Sequence, residues 1–458
     1  MKSQTGIIAI GLGALLAFPA SAQEDLKTKV DQLEQELRIL KRQLELDKEG
    51  AAEKSKTAPV FSAGTDGLTF RSADTNFVLK LHGIVQLDGR FYPDDANAAS
   101  PNDTFLLRRI RTVFDGTVFQ DFDYRMMLDF GAGSSLSAAN NALVQDAYIN
   151  YHPFTYLQGQ FGKYKAPVSL DRLQTDAFLT FVERSYSSQL APNRDLGVEL
   201  KGDLFDGRLS YAAGVFNGVG DNDSGDIEVA DDEKDFEGRI FTLPFKKSNI
   251  EAIRKIGIGV AGTYGNHEGP LKGFVTPGQQ TMFSYNPANI GTNSVSVVAD
   301  GDQWRFAPQG YYYVGPFGIW GEYIVSSLQA RKNNPGQFAR FENNAWSVHA
   351  SYFLTGEENA FDQVKVKRRF SLSEGGFGAV QLIARLQHIS LDKDIFPLFA
   401  NPNTSAQEST SWGVGVNWLL NQNFKLSLNY EETDFKGGSS PFLQRGEKVV
   451  MTRAQVAF

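Results

Sequence analysis

From Phe77 to the last residue, apolar and polar side chains alternate with a period of two, as they do in FVLKLHGIVQLDGRF (77–91). In that stretch Phe77, Leu79, Leu81, Val85 and Leu87 share one face, and Lys80, His82, Gln86, Asp88 and Arg90 share the other. WGVGVNW (412–418), FKLSLNYEE (424–432) and VVMTRAQVAF (449–458) repeat the pattern near the C-terminus. A period of two belongs to extended strands, so the chain folds either as a half-buried antiparallel sheet in water or as a barrel whose outer face meets lipid.

Three features favour lipid. Aromatic residues lie at segment ends, which suits the interfacial girdles of an outer-membrane barrel. The connections alternate in length, because those at 120–123, 204–208, 314–318 and 420–423 are tight and those between them are long and polar. The chain also ends on an aromatic residue, Phe458, a feature that resembles the export signal of bacterial outer-membrane barrels. After the N-terminal leader no segment has the roughly eighteen consecutive apolar residues of a membrane helix, so a membrane would be crossed by strands.

The alternation predicts sixteen strands, an even number that places both termini of the barrel chain on the periplasmic side of the membrane. They are 77–91, 104–119, 124–132, 143–152, 156–164, 195–204, 208–217, 236–245, 255–265, 304–314, 317–328, 343–354, 377–390, 410–419, 422–433 and 447–458. The predicted fold is all-β, a 16-stranded antiparallel transmembrane β-barrel preceded by a short N-terminal coiled-coil helix.

The N-terminus reads as a secretory signal peptide, residues 1–22. Lys2 precedes an apolar run from Ile7 to Phe18, and Ala20-Ser21-Ala22 forms a small-residue cleavage site. The mature chain would begin near Gln23 and leave the cytoplasm. It has no cysteine, so no disulfide contributes to its stability.

A heptad pattern follows the signal peptide. Leu26, Val30, Leu33, Leu37, Leu40 and Leu44 are spaced 4, 3, 4, 3 and 4 residues apart. This spacing predicts a coiled-coil helix over 23–48, and a single amphipathic helix lying on its own protein is the alternative. Residues 49–67 then read as a flexible linker, and 68–458 as the barrel domain.

Charge and histidine placement limit the function. The net charge of −8 argues against nucleic acid as a partner, although it does not say how an internal passage is lined. The five histidines have no spacing that pairs a nucleophile or a metal ion, so we expect no enzyme activity, metal site or cofactor. The acidic run 221–235 offers Asp221, Asp223 and Asp226 to calcium, but it lacks EF-hand spacing and reads as a solvated external loop.

The stretch FLLRRIRTVFDGTVF (105–119) carries three arginines among strand formers. Arg109, Arg111, Asp115 and Thr117 share one face, and Leu106, Ile110, Phe114 and Val118 share the other. The charged face is therefore the lumen. Arg108 breaks the alternation, and facing mid-bilayer lipid would cost it about 2–4 kcal/mol. Either the strand bulges and turns both arginines inward, or Arg108 snorkels at a rim. The next strand continues the charged face with Arg125 and Asp129.

The connection 164–195 is too apolar for a loop exposed to solvent, since Phe178, Leu179, Phe181, Val182 and Leu190 need cover. Folding into the pore would provide that cover and bring Arg172 and Arg184 near the arginines of the second strand. Packing on its own rim is the alternative.

Several blocks, in consecutive order, resemble the phosphate-selective porin O and P family. They include LLRRIRTVFDGTVFQDFDYRMMLDF, VQDAYINYHPF, GQFGKYKAPVSLDRL, FVERSYSSQLAPNRDLGV, FLTGEE and GAVQLIARLQHISLD. The resemblance runs from about residue 77 to the C-terminus. It implies a sixteen-stranded trimeric outer-membrane channel in which arginines and lysines conduct anions inward. Arg108 and Arg109 match the paired constriction arginines, and Arg172 and Arg184 match cationic positions of the inward-folded third loop. Ile84 and Gln145 depart from the pattern of phosphate-selective members, which leaves the preferred anion open.

These observations predict a passive, anion-preferring diffusion channel in the outer membrane of a Gram-negative bacterium, with inorganic anions such as phosphate as solutes. The expected pore constriction consists of Arg108, Arg109, Arg111, Arg125, Arg172 and Arg184. Expected partners are outer-membrane lipid, two further copies in a homotrimer and, through the N-terminal helix, peptidoglycan. One alternative is a barrel that tethers the envelope through its coiled coil. Another is a general-diffusion or sugar porin. A sugar porin would need aromatic side chains along the lumen, but the alternation places Trp346, Trp412 and Trp418 on the lipid-facing side of their strands.

Overall fold

In the computed structural model, the chain is described for residues 20–93, 101–131, 143–225, 232–286, 297–332 and 336–458. The predicted signal peptide lies almost wholly outside these ranges. Two compact units are present: the N-terminal segment through Pro59 together with Ser72–Asp74, and Val60–Arg71 together with Thr75–Phe458.

The first unit is built on a helix, α1 (Ala20–Thr57). It continues past the predicted end at residue 48, because the residues that follow, EGAAEKSKT, are mostly good helix formers. The heptad residues Val30, Leu33, Leu37, Leu40 and Leu44 are all exposed. Among the described helices, none combines the length and the apolarity needed to span a membrane.

The segment predicted as a flexible linker, 49–67, is instead ordered secondary structure. The end of α1 is followed by a hairpin in which Val60–Gly64 pairs with Gly67–Arg71. Gly67 has φ +86°, a conformation that glycine adopts without strain, and Thr65-Asp66 forms the turn. The second hairpin strand pairs in turn with Val78–Leu81, so the hairpin extends the barrel sheet. The dipeptide Asp66-Gly67, flanked by strand-forming residues, was a hairpin signal that the linker interpretation missed.

Sixteen antiparallel strands among the described residues close into a barrel, which confirms the predicted fold class. They are β1 (Phe77–Phe91), β2 (Thr104–Val118), β3 (Phe122–Asp129), β4 (Leu143–Phe154), β5 (Leu157–Lys165), β6 (Arg194–Leu204), β7 (Leu209–Phe216), β8 (Asp235–Thr242), β9 (Ile256–Pro270), β10 (Val297–Val314), β11 (Phe317–Lys332), β12 (Gln337–Phe353), β13 (Ala379–Ser390), β14 (Glu408–Leu419), β15 (Phe424–Lys436) and β16 (Glu447–Ala457). Each strand pairs with its sequence neighbours, and β16 closes the barrel by pairing with β1.

Strand boundaries differ most on the β9–β12 side. β9 runs to Pro270 rather than 265, and β10 begins at Val297 rather than 304, because the ladder between them continues as far as Pro270 opposite Val298. Arg331, which lies beyond the predicted strand end at residue 328, is part of the end of β11 and forms an ion pair with Asp300.

The two ends of the barrel differ, as in outer-membrane barrels. At the terminal rim, where β1 begins and β16 ends, most connections are short. At the loop rim they are longer, and three segments of these loops fold into the lumen: 166–193 (L3), 271–286 and 391–407. Their apolar side chains pack on the inner faces of β9–β13, in a cluster that includes Tyr186, Leu190, Phe274, Phe283, Ile395, Phe399, Ile324 and Phe341. The interior is thus filled on the β9–β13 side.

Candidate functional site: the pore constriction

L3 crosses the lumen and is anchored to β11 by one carboxylate. Glu322 accepts hydrogen bonds from Ser169 Oγ at 2.8 Å, from the backbone N–H of Leu170 at 2.7 Å and from Ser187 Oγ at 2.8 Å. Ser169 also caps the short helix Leu170–Leu173. The inward fold of this loop is confirmed, and packing on its own rim, the alternative, is wrong.

The middle of L3 is held by side chains of the barrel wall that bond to its backbone. Asn429 Oδ1 accepts from the N–H of Val182 at 2.7 Å. Asn417 donates to the carbonyl of Thr180 at 2.8 Å, and Lys425 donates to the carbonyl of Leu179 at 2.9 Å. The position of L3 is therefore set mainly by hydrogen bonds to buried wall residues, which have a defined geometry.

A β-bulge turns two consecutive arginines of β2 inward. Gln86 of β1 lies opposite Arg109, and Leu87 lies opposite Leu107, which leaves Arg108 as the extra residue. The Arg109 guanidinium donates to Gln86 Oε1 at 2.8 Å, and the Arg108 side chain is 14% exposed. The predicted bulge is confirmed, and the rim alternative is wrong.

Glu183 of L3 is the partner of the bulge. Its carboxylate accepts two hydrogen bonds from Arg108, at 2.6 and 3.1 Å, and one from Arg90 of β1 at 2.8 Å. Arg453 of β16 lies 3.8 Å away. Burial alone would raise the pKa of Glu183, but the surrounding guanidinium groups outweigh it and hold that pKa well below its usual range.

A second L3 carboxylate, Asp176, joins three more arginines. Arg111 donates to it directly, Arg184 lies at 2.9 Å, and Arg109 lies at 3.5 Å. Burial opposes ionisation of this carboxyl, yet its arginine neighbours hold the pKa of Asp176 well below its usual range. Arg108 and Arg111 of β2 therefore meet L3 through charge-assisted hydrogen bonds, and Arg109 meets it through an ion pair.

The structure brings Arg108, Arg109, Arg111 and Arg184 into one network and places the other two predicted residues apart from it. Arg172 donates to the carbonyl of Ser188 at 2.9 Å and to Asn222 Oδ1 at 2.7 Å. Arg125 lies between Asp115 at 3.5 Å and Asp146 at 3.4 Å.

Sequence reasoning about the site omitted several charged lumen residues. Arg453 forms a bidentate pair with Asp88, at 2.6 and 2.7 Å, and Arg385 pairs with Glu431 at 2.6 Å. All four are buried. They lie at lumen-facing positions of strands that the alternation had already identified. The same alternation could therefore have named them, but among the strands only the second and third were searched for candidate site residues.

A cavity of about 800 Å³ lies between L3 and the terminal rim, on the side of the lumen that the packed loops leave free. Its lining includes Ile84, Arg111, Arg125, Asp146, Asp176, Arg194, Glu199 and the C-terminal Phe458. Three of its cations, Lys80, Lys165 and Arg239, form no ion pair with a carboxylate of the described residues. Lys165 donates to the carbonyl of Gln174 at 2.8 Å, and Arg239 donates to Gln309 at 2.9 Å. The cavity thus contains three basic side chains outside ion pairs, together with the carboxylates of Asp66 and Asp203, for which the described residues provide no ion pair either.

None of the tryptophans in the described residues lines this cavity, whose aromatic lining consists of Tyr148, Tyr164, Phe178, Tyr211 and Phe458. Trp412 is exposed on the outer face, in agreement with its predicted parity. Trp320 points inward but is buried against His349, with ring centroids 3.7 Å apart. It therefore packs in the filled half of the interior.

The described N-terminal part of the acidic run, residues 221–225, is anchored rather than fully solvated. Asp221 is buried and pairs with Arg305 of β10 at 2.7 Å, and Asp223 lies 3.6 Å from Lys272. Asp226 lies outside the described residues. Within the described ranges, no group of His, Cys, Asp and Glu side chains is arranged to hold a metal ion.

Comparisons with known proteins agree on one class. Porin O of Pseudomonas aeruginosa is 24% identical over 391 residues, which cover 80% of this chain and 84% of that protein. Among solved structures, the trimer form of OmpT, an outer membrane protein of Vibrio cholerae, aligns with a TM-score of 0.52 and 14% identity, covering 83% of this chain and 99% of that one. An anion-selective porin from Comamonas acidovorans aligns with a TM-score of 0.50 and 13% identity, covering 83% and 100%. Residues 79–458 match the family described as phosphate-selective porin O and P, and the chain therefore belongs to that family.

Proposed function

We propose that this chain forms a passive, anion-preferring diffusion channel in the outer membrane of a Gram-negative bacterium, with phosphate or polyphosphate-like anions as solutes. The family and the barrel point to a porin of that membrane and to a channel rather than an enzyme. The observation that carries the preference for anions is the set of cations without carboxylate partners, Lys80, Lys165 and Arg239, beside the cavity below L3.

Their placement strengthens their effect on a passing ion. Lys165 and Arg239 are partly buried, so counterions screen them less than they screen surface charges. Asp66 and Asp203, which also line the cavity, are exposed near the terminal rim, where water and salt weaken their field. We expect an anion entering the passage to meet a net attractive potential.

The proposed constriction consists of Arg108, Arg109, Arg111, Arg125, Arg172 and Arg184. Arg108, Arg109, Arg111 and Arg184 surround the carboxylates of Asp176 and Glu183. These carboxylates neutralise part of the arginine charge, and a passing solute would meet the positive charge that remains. Guanidinium groups bind phosphate oxygens through parallel hydrogen bonds. Several such groups in series would attract the anion without trapping it at one position. The description of the family and of the Comamonas porin supports this direction of selectivity.

Single-channel recording tests the proposal. Reversal potentials in a potassium chloride gradient should favour chloride, and phosphate or pyrophosphate should reduce the chloride current. Lys165→Gln combined with Arg239→Gln should weaken the preference several-fold. Lys255→Gln, at a half-exposed lysine of the terminal rim that pairs with Glu358 at 2.6 Å, is the control and should leave the preference unchanged. Equal permeability of both ions in the wild type would favour the general-diffusion porin, and cation preference would rule out the proposal.

We also propose that the protein is a homotrimer surrounded by outer-membrane lipid. The exposed heptad residues of α1 favour association between copies, and the trimer form of the Vibrio protein is consistent with three copies.

A second function, tethering of the envelope through contact between α1 and peptidoglycan, is favoured by the same exposed, highly charged helix. Co-sedimentation of the intact protein with peptidoglycan, compared with a chain lacking α1, tests it: retention that does not depend on α1 would contradict it.

A further inference from the structure

The longest connection at the terminal rim, residues 354–378 between β12 and β13, passes from the inside of the barrel to its outside. At the inner end, the carbonyl of Phe361 accepts from Gln174 of L3 at 2.7 Å. At the outer end, the rings of Phe370 and Phe377 pack on Trp418 of β14, with centroids 5.2 and 5.4 Å away. Trp418 has outward parity, because its neighbour Asn417 is buried and bonds to L3.

The outer part of this connection exposes a continuous apolar surface. Ser371 and Gly376 bridge the two arms of a small turn, which presents Leu372 at its tip. Leu372 is 90% exposed and Phe377 is 61% exposed. This surface continues the apolar outer face of the barrel, on which Leu382 of β13 and Val416 of β14 are also exposed. Contact with water would be unfavourable for such a surface, whereas contact with acyl chains removes the cost.

Four basic residues lie directly beside this apolar turn: Lys365, Lys367, Arg368 and Arg369. All four are exposed. Arg369 pairs with Glu374 at 3.1 Å, and the other three form no ion pair with a carboxylate of the described residues. Lys367 and Arg368 donate to backbone carbonyls of Gly356 and Glu374, which holds them close to the turn.

We propose that residues 365–377, with Trp418, form a binding site for an anionic phospholipid of the leaflet at the terminal rim. This inference rests on the proposed membrane location of the barrel. The basic residues lie at the level of the headgroups and neutralise the lipid phosphate, while Leu372 and Phe377 contact its acyl chains. The commitment to lipid rests on charge complementarity and on continuity with the apolar belt. A second copy docked through the same patch would bring like charges together.

The test is native mass spectrometry of the full-length oligomer, released from bilayers with equal amounts of phosphatidylglycerol and phosphatidylethanolamine of identical acyl chains. The wild type should retain phosphatidylglycerol at least fivefold over phosphatidylethanolamine. Arg368→Gln combined with Arg369→Gln should abolish this preference, and Leu372→Ser should reduce retention of both lipids. Lys246→Gln combined with Lys247→Gln is the matched control. It removes a basic pair at the same rim whose Lys247 is already paired with Asp206, and it should leave the preference intact.

Equal retention of the two lipids by the wild type, or equal loss of preference in the control, would overturn the proposal. So would dissociation of the oligomer in the Arg368/Arg369 variant, because the patch would then be an interface between copies. Single-channel conductance and ion selectivity are recorded on the same samples. A wild type without anion preference that still selects phosphatidylglycerol would refute the proposed function and leave the lipid site standing.

Discussion

The Arg108 guanidinium donates two hydrogen bonds to Glu183, at 2.6 and 3.1 Å, and so joins the bulge of β2 to the middle of L3. Neighbouring residues of a regular strand point to opposite faces, so only the bulge allows both Arg108 and Arg109 to point into the lumen. The bulge therefore turns two adjacent guanidinium groups into the lumen, and through Arg108 it holds the middle of L3.

We expect Glu183→Gln to loosen L3. The substitution leaves Arg90 and Arg108 buried without their carboxylate, and removing one partner of a buried ion pair costs about 3–5 kcal/mol. Single-channel records should show more current fluctuation, and residues 166–193 should exchange amide hydrogens faster. Glu342→Gln, at an exposed residue of β12, is the control and should behave as the wild type. Unchanged hydrogen exchange in Glu183→Gln would show that the wall residues alone hold L3.

Arg109→Glu should reduce or reverse the preference for anions. The change lowers the local charge by two units and places a carboxylate near Asp176, which lies 3.5 Å from the native guanidinium. Reversal potentials in a salt gradient measure the effect. Arg331→Glu at the loop-rim end of β11 makes the same charge change far from the constriction and should have a much smaller effect. If both variants keep the wild-type reversal potential, Arg109 does not act on passing ions.

The contact between Asp176 and its arginines should be insensitive to mild acid. The pKa of Asp176 in the folded protein is held well below the ordinary value of about 3.9, so the stabilisation that it gives is present above that value and is lost only as pH falls through the lowered pKa. Asp176→Asn should therefore lower the hydrogen-exchange protection of the backbone around residue 176, and the difference in protection between the wild type and this variant should stay constant from pH 8 to about pH 4. Both proteins keep the other titratable residues that hold L3, such as Glu322, so the difference reports on Asp176. A difference that disappears with a midpoint above pH 4 would mean that Asp176 is not held by its arginines.

The barrel could be predicted from the sequence because one physical pattern specifies it. Alternation of period two defines which side chains face lipid and which face the lumen, and it placed Gln86 and Asp88 inside and Val85 and Leu87 outside, as observed. The same pattern marked Arg108 as an exception, and a bulge is one of the few ways in which a strand can resolve it.

The carboxylates that pair with the arginines could not be predicted in the same way. Asp176 and Glu183 lie on a loop with no regular period, and their partners on β1 and β2 are distant in sequence. The hydrogen bonds that define this contact depend on the path of L3 across the lumen, which hydrophobicity alone does not specify. The hairpin Val60–Arg71 was missed for another reason, because a short two-stranded element carries little periodicity and only its turn residues mark it.

The last prediction concerns assembly through α1. Leu33 and Leu40 lie on the heptad seam and are exposed on α1, so other copies of the helix could bury them. Deleting residues 24–57, or introducing Leu33→Lys with Leu40→Lys, should weaken the trimer in mild detergent while leaving the β-sheet circular dichroism of the barrel unchanged. Ile39→Lys is the matched control, since Ile39 is equally apolar and exposed but lies off the seam, and it should not affect the trimer. A full-length chain that is monomeric in mild detergent, or a seam variant as trimeric as the Ile39→Lys control, would show that the heptads do not join the subunits.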